Sequence, residues 1–396
     1  MCAPEETLAR IQPLMKAAGI ARSADITGLD RLGIPVTLAL RPNARLIVGA
    51  TGKGPDLVTA EVSGLMEAIE VHHAEYAEDA ELALTIASYD ELVDAGVNVV
   101  AESELPLARG GTFSRRWRYA WTSGFDLVRQ IETAVPYLYV HVARDFLPVE
   151  QADPLTAQWI GGSNGLASGN STLEAISSAL YEVIERDAMA IWLSAETAGR
   201  PVPIVDLAEQ AVGETAELVE RCARADLRLD VSDFTSDLGV PTYCATLLDE
   251  RPGGFSQPAA GWGTHLDPQI AMVRAITEAA QSRVVVIAGS RDDVFNADRH
   301  LLLHRQAFTY AGPRAPVRES TAGATFEDDV RQLLDRLVAH GLDRVIVVDL
   351  KRQPFNIDVV KVWVPGLEEY CKVSQYSRGA RARYWADHVP ADAVNS

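Results

Sequence analysis

The chain has 396 residues, which is enough for one large domain or two of ordinary size. Apolar residues make up 47% and charged residues 23%, as in soluble globular proteins. The net charge of −19 argues against nonspecific binding to nucleic acid or to an anionic membrane. There is no membrane-length apolar run, no signal-peptide pattern and no CxxC pair among the four cysteines. We therefore expect a cytoplasmic protein with no zinc site and no disulfide framework.

The hydrophobic pattern predicts short strands interspersed with longer helices. Helices are predicted over 5–18 with a kink at Pro13, 56–77, about 172–192, 214–225, 268–288 and 328–340. Strands are predicted as two runs within 24–42 and over 135–142, 227–233, 239–247, 344–349 and 359–364. Residues 78–130 are less regular. There, three arginines alternate with aromatic residues, which favours a buried tryptophan beside solvated arginines over a phosphate or substrate contact.

The most informative stretch is 161–192, in which a glycine-rich loop leads directly into a helix. Glu174, Glu182 and Glu185 fall within roughly 80° on one face of this helix, and Ser178 lies on the same stripe. Like charges so placed repel each other, and a cation would relieve the repulsion. The loop offers backbone N–H groups and good N-caps for a phosphate. A nucleotide and Mg²⁺ site is one interpretation, and a capped surface helix is the other.

A repeat relates three helices of the chain. The matching positions are Gly54, Ala60, Ser63, Glu67 and Glu70; Gly169, Ala175, Ser178, Glu182 and Glu185; and His265, Ala271, Arg274, Glu278 and Gln281. Each polar trio lies on one helical face, after a glycine-rich loop and an X-Pro strand. The order helix, strand, strand, helix predicts an α+β fold of repeated strand–strand–helix units, with mixed or antiparallel sheets flanked by helices.

The trios point to phosphate and metal chemistry. Carboxylate oxygens without Cys or His favour Mg²⁺ over zinc. Lys53 lies between two glycines, while Arg186, Arg274 and Arg283 are near the glutamates and are suited to a triphosphate. The segment G-A-T-G-K-G does not have Walker A spacing, and no clear Rossmann context is present. For each of these cations, an ion pair with a neighbouring glutamate is the alternative interpretation.

The segments that carry these trios resemble the YcaO family. The similarity includes S-N-G-L-A-S-G-N-S-T-L-E-A-I-S-S-A-L-Y-E-V-I-E-R, G-K-G-P-D-L-V-T-A-E-V-S-G-L-M-E-A-I-E and G-W-G-T-H-L-D-P-Q-I-A-M-V-R-A-I-T-E-A-A-Q-S-R. It spans about 22–368 with matching order and spacing. We therefore expect a single YcaO-like ATP-binding domain over 1–396, with a polar tail at 369–396.

The resemblance implies ATP-dependent phosphorylation of a peptide-backbone amide oxygen, followed by nucleophilic addition and loss of phosphate. It implies Mg²⁺ ligands at Glu67, Glu70, Glu174, Glu182 and Glu185. Expected ATP contacts are Lys53, Ser63, Asn170, Ser178, Arg186, Arg274, Gln281 and Arg283. Glu182, Glu185 and Arg186 are the expected catalytic residues. We further expect Glu182 and Glu185 to share Mg²⁺ ions with Glu67 and Glu70.

The C-terminal sequence suggests which member of the family this is. Azoline-forming members often end in alternating prolines, whereas this sequence ends R-Y-W-A-D-H-V-P-A-D-A-V-N-S. We also expect no attached leader-binding or adenylating domain. The chain resembles the members that act with a separate TfuA protein in thioamide formation on a ribosomally made peptide or protein. The alternatives are an azoline-forming cyclodehydratase and a non-catalytic peptide-binding accessory protein. A homodimer stays open, since no segment marks an interface.

Overall fold

The computed structural model describes residues 2–75, 84–142, 159–251, 258–289, 312–370 and 376–388. Predictions for 76–77 and for parts of 253–265, 290–325 and 369–396 lie outside these ranges. Within them, the chain divides into two compact units, each made of separate stretches of sequence. The first comprises Met1–Ala68, Trp192–Gly323 and Trp385–Ser396, and the second comprises Ile69–Ile191 and Ala324–Tyr384.

The strands of the described residues pair with one another in antiparallel fashion. They are β1 Arg22–Asp25, β2 Val36–Leu40, β3 Gly49–Lys53, β4 Thr85–Ser88, β5 Arg118–Asp126, β6 Ile131–Pro136, β7 Leu166–Gly169, β8 Arg228–Asp233, β9 Thr242–Leu248, β10 Ala259–Thr264, β11 Ile346–Asp349 and β12 Asp358–Trp363.

The α-helices of the same residues vary from one turn to seven. They are α1 Pro4–Ile11, α2 Leu57–Glu75, α3 Tyr89–Asp94, α4 Tyr137–Val140, α5 Thr172–Thr197, α6 Leu207–Gln210, α7 Glu214–Arg224, α8 Pro268–Ala288, α9 Phe326–Ala339 and α10 Ala380–His388. In the described part of the chain, no helix is both long and apolar enough to cross a membrane.

The first unit contains two three-stranded sheets, β1-β2-β3 and β10-β9-β8, and each is followed in sequence by a long helix. Helix α8 packs against β9 and β10 through a row of alanines that includes the fully buried Ala271, Ala275 and Ala279. Small side chains let helix and sheet approach closely, and Val231 and Leu247 fill the core beside them. Two of the three repeats predicted from the sequence are therefore strand–strand–strand–helix units.

The predicted glycine loops are wrong in part, because the glycines lie in strands. Gly52 is in β3 and Gly261 and Gly263 are in β10. A Cβ at Gly52 would overlap the backbone of α2 at Ala60, and one at Gly261 would overlap the backbone of α8. Glycine usually weakens a strand, but here it lets the strand lie directly on a helix.

The second unit is built on a six-stranded sheet of order β4-β5-β11-β12-β7, in which β6 also pairs with β5. The nine-residue β5 lies in the region that the sequence left irregular. An aromatic cluster packs on it, with Tyr119 and Trp121 buried beside Trp159. The favoured reading of the arginine-aromatic segment needs one correction, because Trp117 is 44% exposed while Trp121 is the buried tryptophan.

Other boundaries differ from prediction for local reasons. The strand expected at 135–142 ends at Pro136, which has no N–H for a ladder, and α4 follows. All four residues of α4 are buried, and a short buried run does not distinguish strand from helix. The predicted helix over 5–18 stops at Ile11, where a 3₁₀ turn containing Pro13 begins. Within the expected polar tail, α10 is regular and buries Ala382.

Candidate functional site

In the first unit, β3 and α8 bring several predicted nucleotide contacts together. Lys53, at the end of β3, forms an ion pair with Glu278 of α8, and both side chains are about a quarter exposed or less. Gln281, one turn further along α8, donates from Nε2 to the backbone oxygen of Thr51 and to its Oγ1 at 2.9 Å. Glu278 and Gln281 both lie on the half-exposed face of α8, whose other side is buried.

Arg274 lies one turn before Glu278 on the same face of α8. Its side chain is half-buried, and its Nε is buried without a hydrogen-bond partner among the described residues. An unsatisfied guanidinium N–H is unfavourable unless an acceptor occupies the site. This orphaned donor fits an anionic group such as phosphate.

The other predicted site residues of the first unit lie in different environments. On α2, Ser63 is half-buried and Glu67 is exposed. Arg283 is only 1% exposed, and its Nε donates to Asp30 at 2.8 Å while Nη2 lies 3.5 Å from Asp249. The predicted ATP contact at Arg283 is therefore, in this structure, part of a buried ion cluster.

In the second unit, α5 is buried along most of its length. Apart from its first residues, the half-exposed positions between Glu174 and Arg186 recur every fourth residue, at Glu174, Ser178, Glu182 and Arg186. Nη2 of Arg186 lies 3.9 Å from Oε1 of Glu182, and Glu185 is buried at 5% exposure. Of the stripe predicted from the sequence, Glu174, Ser178 and Glu182 are therefore half-exposed, whereas Glu185 is buried.

Asn170 and Glu174 form the N-terminal turn that leads into α5. The backbone N and Nδ2 of Asn170 each donate to one carboxylate oxygen of Glu174, both at 3.2 Å. Glu174 N in turn donates to Ser171 Oγ at 3.3 Å. Glu174 thus orders the start of the helix, a function that the metal-ligand prediction did not include.

Glu70 is held by β7. Its Oε1 accepts hydrogen bonds from Ser168 N at 2.9 Å and Ser168 Oγ at 2.7 Å. Glu70 and Ser168 belong to the second unit, as do Glu182 and Glu185. Ser168, Thr51 and Glu278 were not among the predicted site residues. Only Glu278 had a signal, since it occupies the repeat position of Glu67 and Glu182.

A buried ion pair follows directly after Arg186 in sequence. Burial raises the pKa of Asp187 to about 6, and the opposing effect of the nearby Arg381 is smaller. Arg381 donates to Asp187 from Nε at 2.9 Å and from Nη2 at 3.0 Å, and Glu368 N donates to it at 3.0 Å. These contacts fix the turn of α5 that carries the predicted catalytic residues.

The described residues fit Mg²⁺ through the chemistry of their donors rather than through a preformed cage. Among them, no three His, Cys, Asp or Glu side chains are gathered as a metal-binding group. Mg²⁺ commonly needs only one or two carboxylates, because waters and substrate phosphates complete its shell. Glu182 and Glu70 are half-buried oxygen donors of this kind.

Comparison with known proteins assigns the chain to a family. The model described as YcaO cyclodehydratase, ATP- and Mg²⁺-binding, matches residues 51–368. The chain belongs to the YcaO family. A protein of Rhizobium leguminosarum bv. trifolii, described as an uncharacterized protein in the tfuA 3′ region, is 32% identical over 394 residues, 96% of this chain and 91% of that protein. An uncharacterized protein of Methanothermobacter thermautotrophicus is 33% identical over 379 residues, 93% of this chain and 94% of that protein.

Solved structures share the fold of this chain. The YcaO from Methanopyrus kandleri bound with AMPPCP and Mg²⁺ is 25% identical, with a TM-score of 0.72 over 96% of this chain and 95% of that one. A heterocyclase in complex with substrate and cofactor is 24% identical, with a TM-score of 0.76 over 92% of this chain. The match covers 52% of that heterocyclase, so this chain spans about half its length.

These matches confirm three predictions: the YcaO family, its α+β fold, and ATP with Mg²⁺ as the family's cofactors. They also confirm the general kind of reaction, because the matched family model describes an ATP- and Mg²⁺-binding cyclodehydratase. The roles of the individual residues, the product and the partner stay predictions.

Proposed function

We propose that this YcaO protein activates a peptide-backbone amide with ATP and Mg²⁺ for thioamide formation, together with a TfuA-like partner. The observation that carries the choice of product is a relative, 32% identical over nearly the whole of both chains, that is named for the tfuA 3′ region. The substrate is a ribosomally made peptide or protein. The amide oxygen takes a phosphoryl group, a sulfide donor adds to the amide carbon, and phosphate leaves with the former carbonyl oxygen.

When bound, ATP would supply the phosphoryl group that turns the amide oxygen into a leaving group, and Mg²⁺ would neutralise charge on its phosphates. We assign the metal to Glu67, Glu70, Glu182 and Glu185, with Glu174 ordering the turn beside them. Oxygen donors alone suit this ion. The half-exposed stripe of α5 supports the assignment of Glu182, because the other side chains between 174 and 186 are buried except those of the stripe itself.

The cations of the chain neutralise charge on the phosphates. Lys53, which forms an ion pair with Glu278, and Arg274, whose Nε is buried without a partner in the described residues, would donate to phosphate oxygens of bound ATP. Arg186 is oriented by Glu182 at 3.9 Å. Ser63, Asn170, Ser178 and Gln281 contribute neutral contacts to the nucleotide. Positioning and electrostatics of this kind account for most phosphoryl-transfer catalysis, so no covalent nucleophile is required.

The product is tested by incubating the purified chain and a TfuA-like protein with ATP, Mg²⁺, sulfide and the peptide encoded beside the gene. Mass spectrometry that finds oxygen replaced by sulfur, with ADP and phosphate released in equal amounts, supports thioamidation. Loss of water without sulfur incorporation would instead identify an azoline-forming cyclodehydratase. No ATP-dependent change in a peptide that binds the chain would favour an accessory protein.

The metal assignment is tested by Glu182→Gln. This variant should lose Mg²⁺-dependent ATP turnover while its melting temperature stays near that of the parent chain. Glu220→Gln is a matched control, because Glu220 lies on α7 with a side chain that is 71% exposed. Turnover that survives in Glu182→Gln would contradict the assignment, and unfolding would indicate a structural role.

A further inference from the structure

The contact between Ser168 and Glu70 is more specific than the packing of a strand against a helix requires. Strand β7 is at the end of the strand order of its sheet, and in the described residues it pairs only with β12. Edge strands present backbone N–H groups that lack a neighbouring strand. The N–H of Ser168 is satisfied by the carboxylate of Glu70 at 2.9 Å.

The hydrogen bond from the backbone N–H would be enough to satisfy this edge of β7, yet Ser168 also donates from its side chain. Its Oγ donates to the same oxygen, Oε1 of Glu70, at 2.7 Å. Two donors from one residue that converge on one carboxylate oxygen restrict both the position and the rotation of the carboxylate. Ser168 is itself 8% exposed and Glu70 is half-buried, so the contact is partly shielded from water and is stronger than on the open surface.

We propose that Ser168 is a positioning residue for Mg²⁺, which acts by orienting the carboxylate of Glu70. This inference rests on the proposed role of Glu70 as a metal ligand. Hydrogen bonds to ligating carboxylates are a general way in which proteins tune metal affinity. In this chain, the hydroxyl is the part that a substitution changes, because any residue other than proline at position 168 keeps the N–H.

The test compares Mn²⁺ binding to four full-length proteins: the parent chain, Ser168→Ala, Glu70→Gln and the double variant. Binding is measured by electron paramagnetic resonance in the presence of a non-hydrolysable ATP analogue, so that no turnover is needed. Loss of an outer partner typically weakens metal binding ten- to a hundred-fold. We expect about tenfold for Ser168→Ala, since the backbone donor remains.

The double variant separates an indirect effect from a direct one. If Ser168 acts through Glu70, Ser168→Ala should weaken Mn²⁺ binding much less in the Glu70→Gln background than in the parent chain. In steady-state assays, Ser168→Ala should raise the Mg²⁺ concentration needed for half-maximal rate, with a smaller change in kcat at saturating Mg²⁺. A general loss of structure would not give this pattern.

Ser123→Ala is the matched control, because Ser123 is an exposed serine in β5 of the same sheet. If Ser168→Ala folds poorly, Ser168→Cys keeps a γ atom and replaces the hydroxyl by a weak donor. Mn²⁺ binding of Ser168→Ala or Ser168→Cys equal to that of Ser123→Ala would overturn the proposal, as would full additivity with Glu70→Gln. Unchanged binding in Glu70→Gln would overturn the metal role of Glu70, a different failure that belongs to the proposed function.

Discussion

Replacement of Arg381 by leucine tests how the second unit holds the middle of α5. The carboxylate of Asp187 is fully buried and the side chain of Arg381 is 14% exposed. Two charge-assisted hydrogen bonds, at 2.9 and 3.0 Å, join them. Removal of one partner of a buried pair leaves an uncompensated charge, so Arg381→Leu should lower the free energy of unfolding by about 3 kcal/mol at neutral pH.

The loss should depend on pH in a defined direction. Burial already raises the pKa of Asp187 from 3.8 to about 6, and loss of Arg381 raises it further. When the pKa of a carboxyl is higher in the folded than in the unfolded protein, the stability is greatest below the unfolded-state pKa and is lost as the pH rises through the folded-state pKa. The variant should therefore be much closer to the parent chain near pH 4 than near pH 8.

Urea denaturation followed by tryptophan fluorescence at several pH values measures this difference. Arg383→Leu is the control on the same helix, because Arg383 is exposed and, within the described residues, its side chain donates to a backbone oxygen, that of Arg378 at 2.6 Å. It should change stability by less than about 0.5 kcal/mol. A loss for Arg381→Leu that is small, or that is equal at low and high pH, would refute the account of Asp187 as a buried charge.

Three further predictions concern a buried histidine, a glycine packed against a helix, and two cations in different environments. Burial lowers the pKa of His141 from 6.5 to about 4. The free energy of unfolding should therefore be highest above pH 6.5 and should fall by up to about 3 kcal/mol as the pH drops to 4. In urea titrations, His141→Phe should flatten this pH dependence. Gly261→Ala should lower the melting temperature, because the new Cβ overlaps the backbone of α8 at a cost of about 1–3 kcal/mol in the free energy of unfolding. Gly28→Ala is the control, because its Cβ would enter open space and should leave the melting temperature unchanged. Lys53→Met should weaken ATP binding with little change in stability, while Arg283→Met should lose about 3 kcal/mol of stability, as calorimetry of binding and unfolding would show.

Elements with local signals could be predicted from the sequence. Helix α8 has the predicted bounds, because Asp267 caps its first turn, Pro268 opens it and Gly289 closes it in the left-handed region. The strand β5 carried no comparable signal. Its aromatic and arginine residues fit either a loop or a strand, and its pairing with β4, β6 and β11 joins distant parts of the chain.

The candidate site was predictable where residue type and helical spacing define it, as for Glu182 and Arg186 on α5. It was not predictable where one residue acts on another far along the chain. The contact between Ser168 and Glu70 spans 98 residues, and that between Lys53 and Glu278 spans 225. Arg283 illustrates the converse case, because its place on a polar helix did not reveal that Asp30 and Asp249 lie within reach.

The corrected reading of the glycines changes how the polar stripes arise. As loops, they would have been phosphate cradles in their own right. As strand residues in contact with a helix, Gly52 and Gly261 allow backbone approach that buries most of the helix surface. A polar side chain then lies either on the narrow face that stays open, as at Arg274 and Glu278 of α8, or in a buried ion cluster, as at Arg283. The repeated spacing in the sequence therefore reflects the close packing of helix on strand. The chemistry that we propose uses the helix face that stays accessible after this packing.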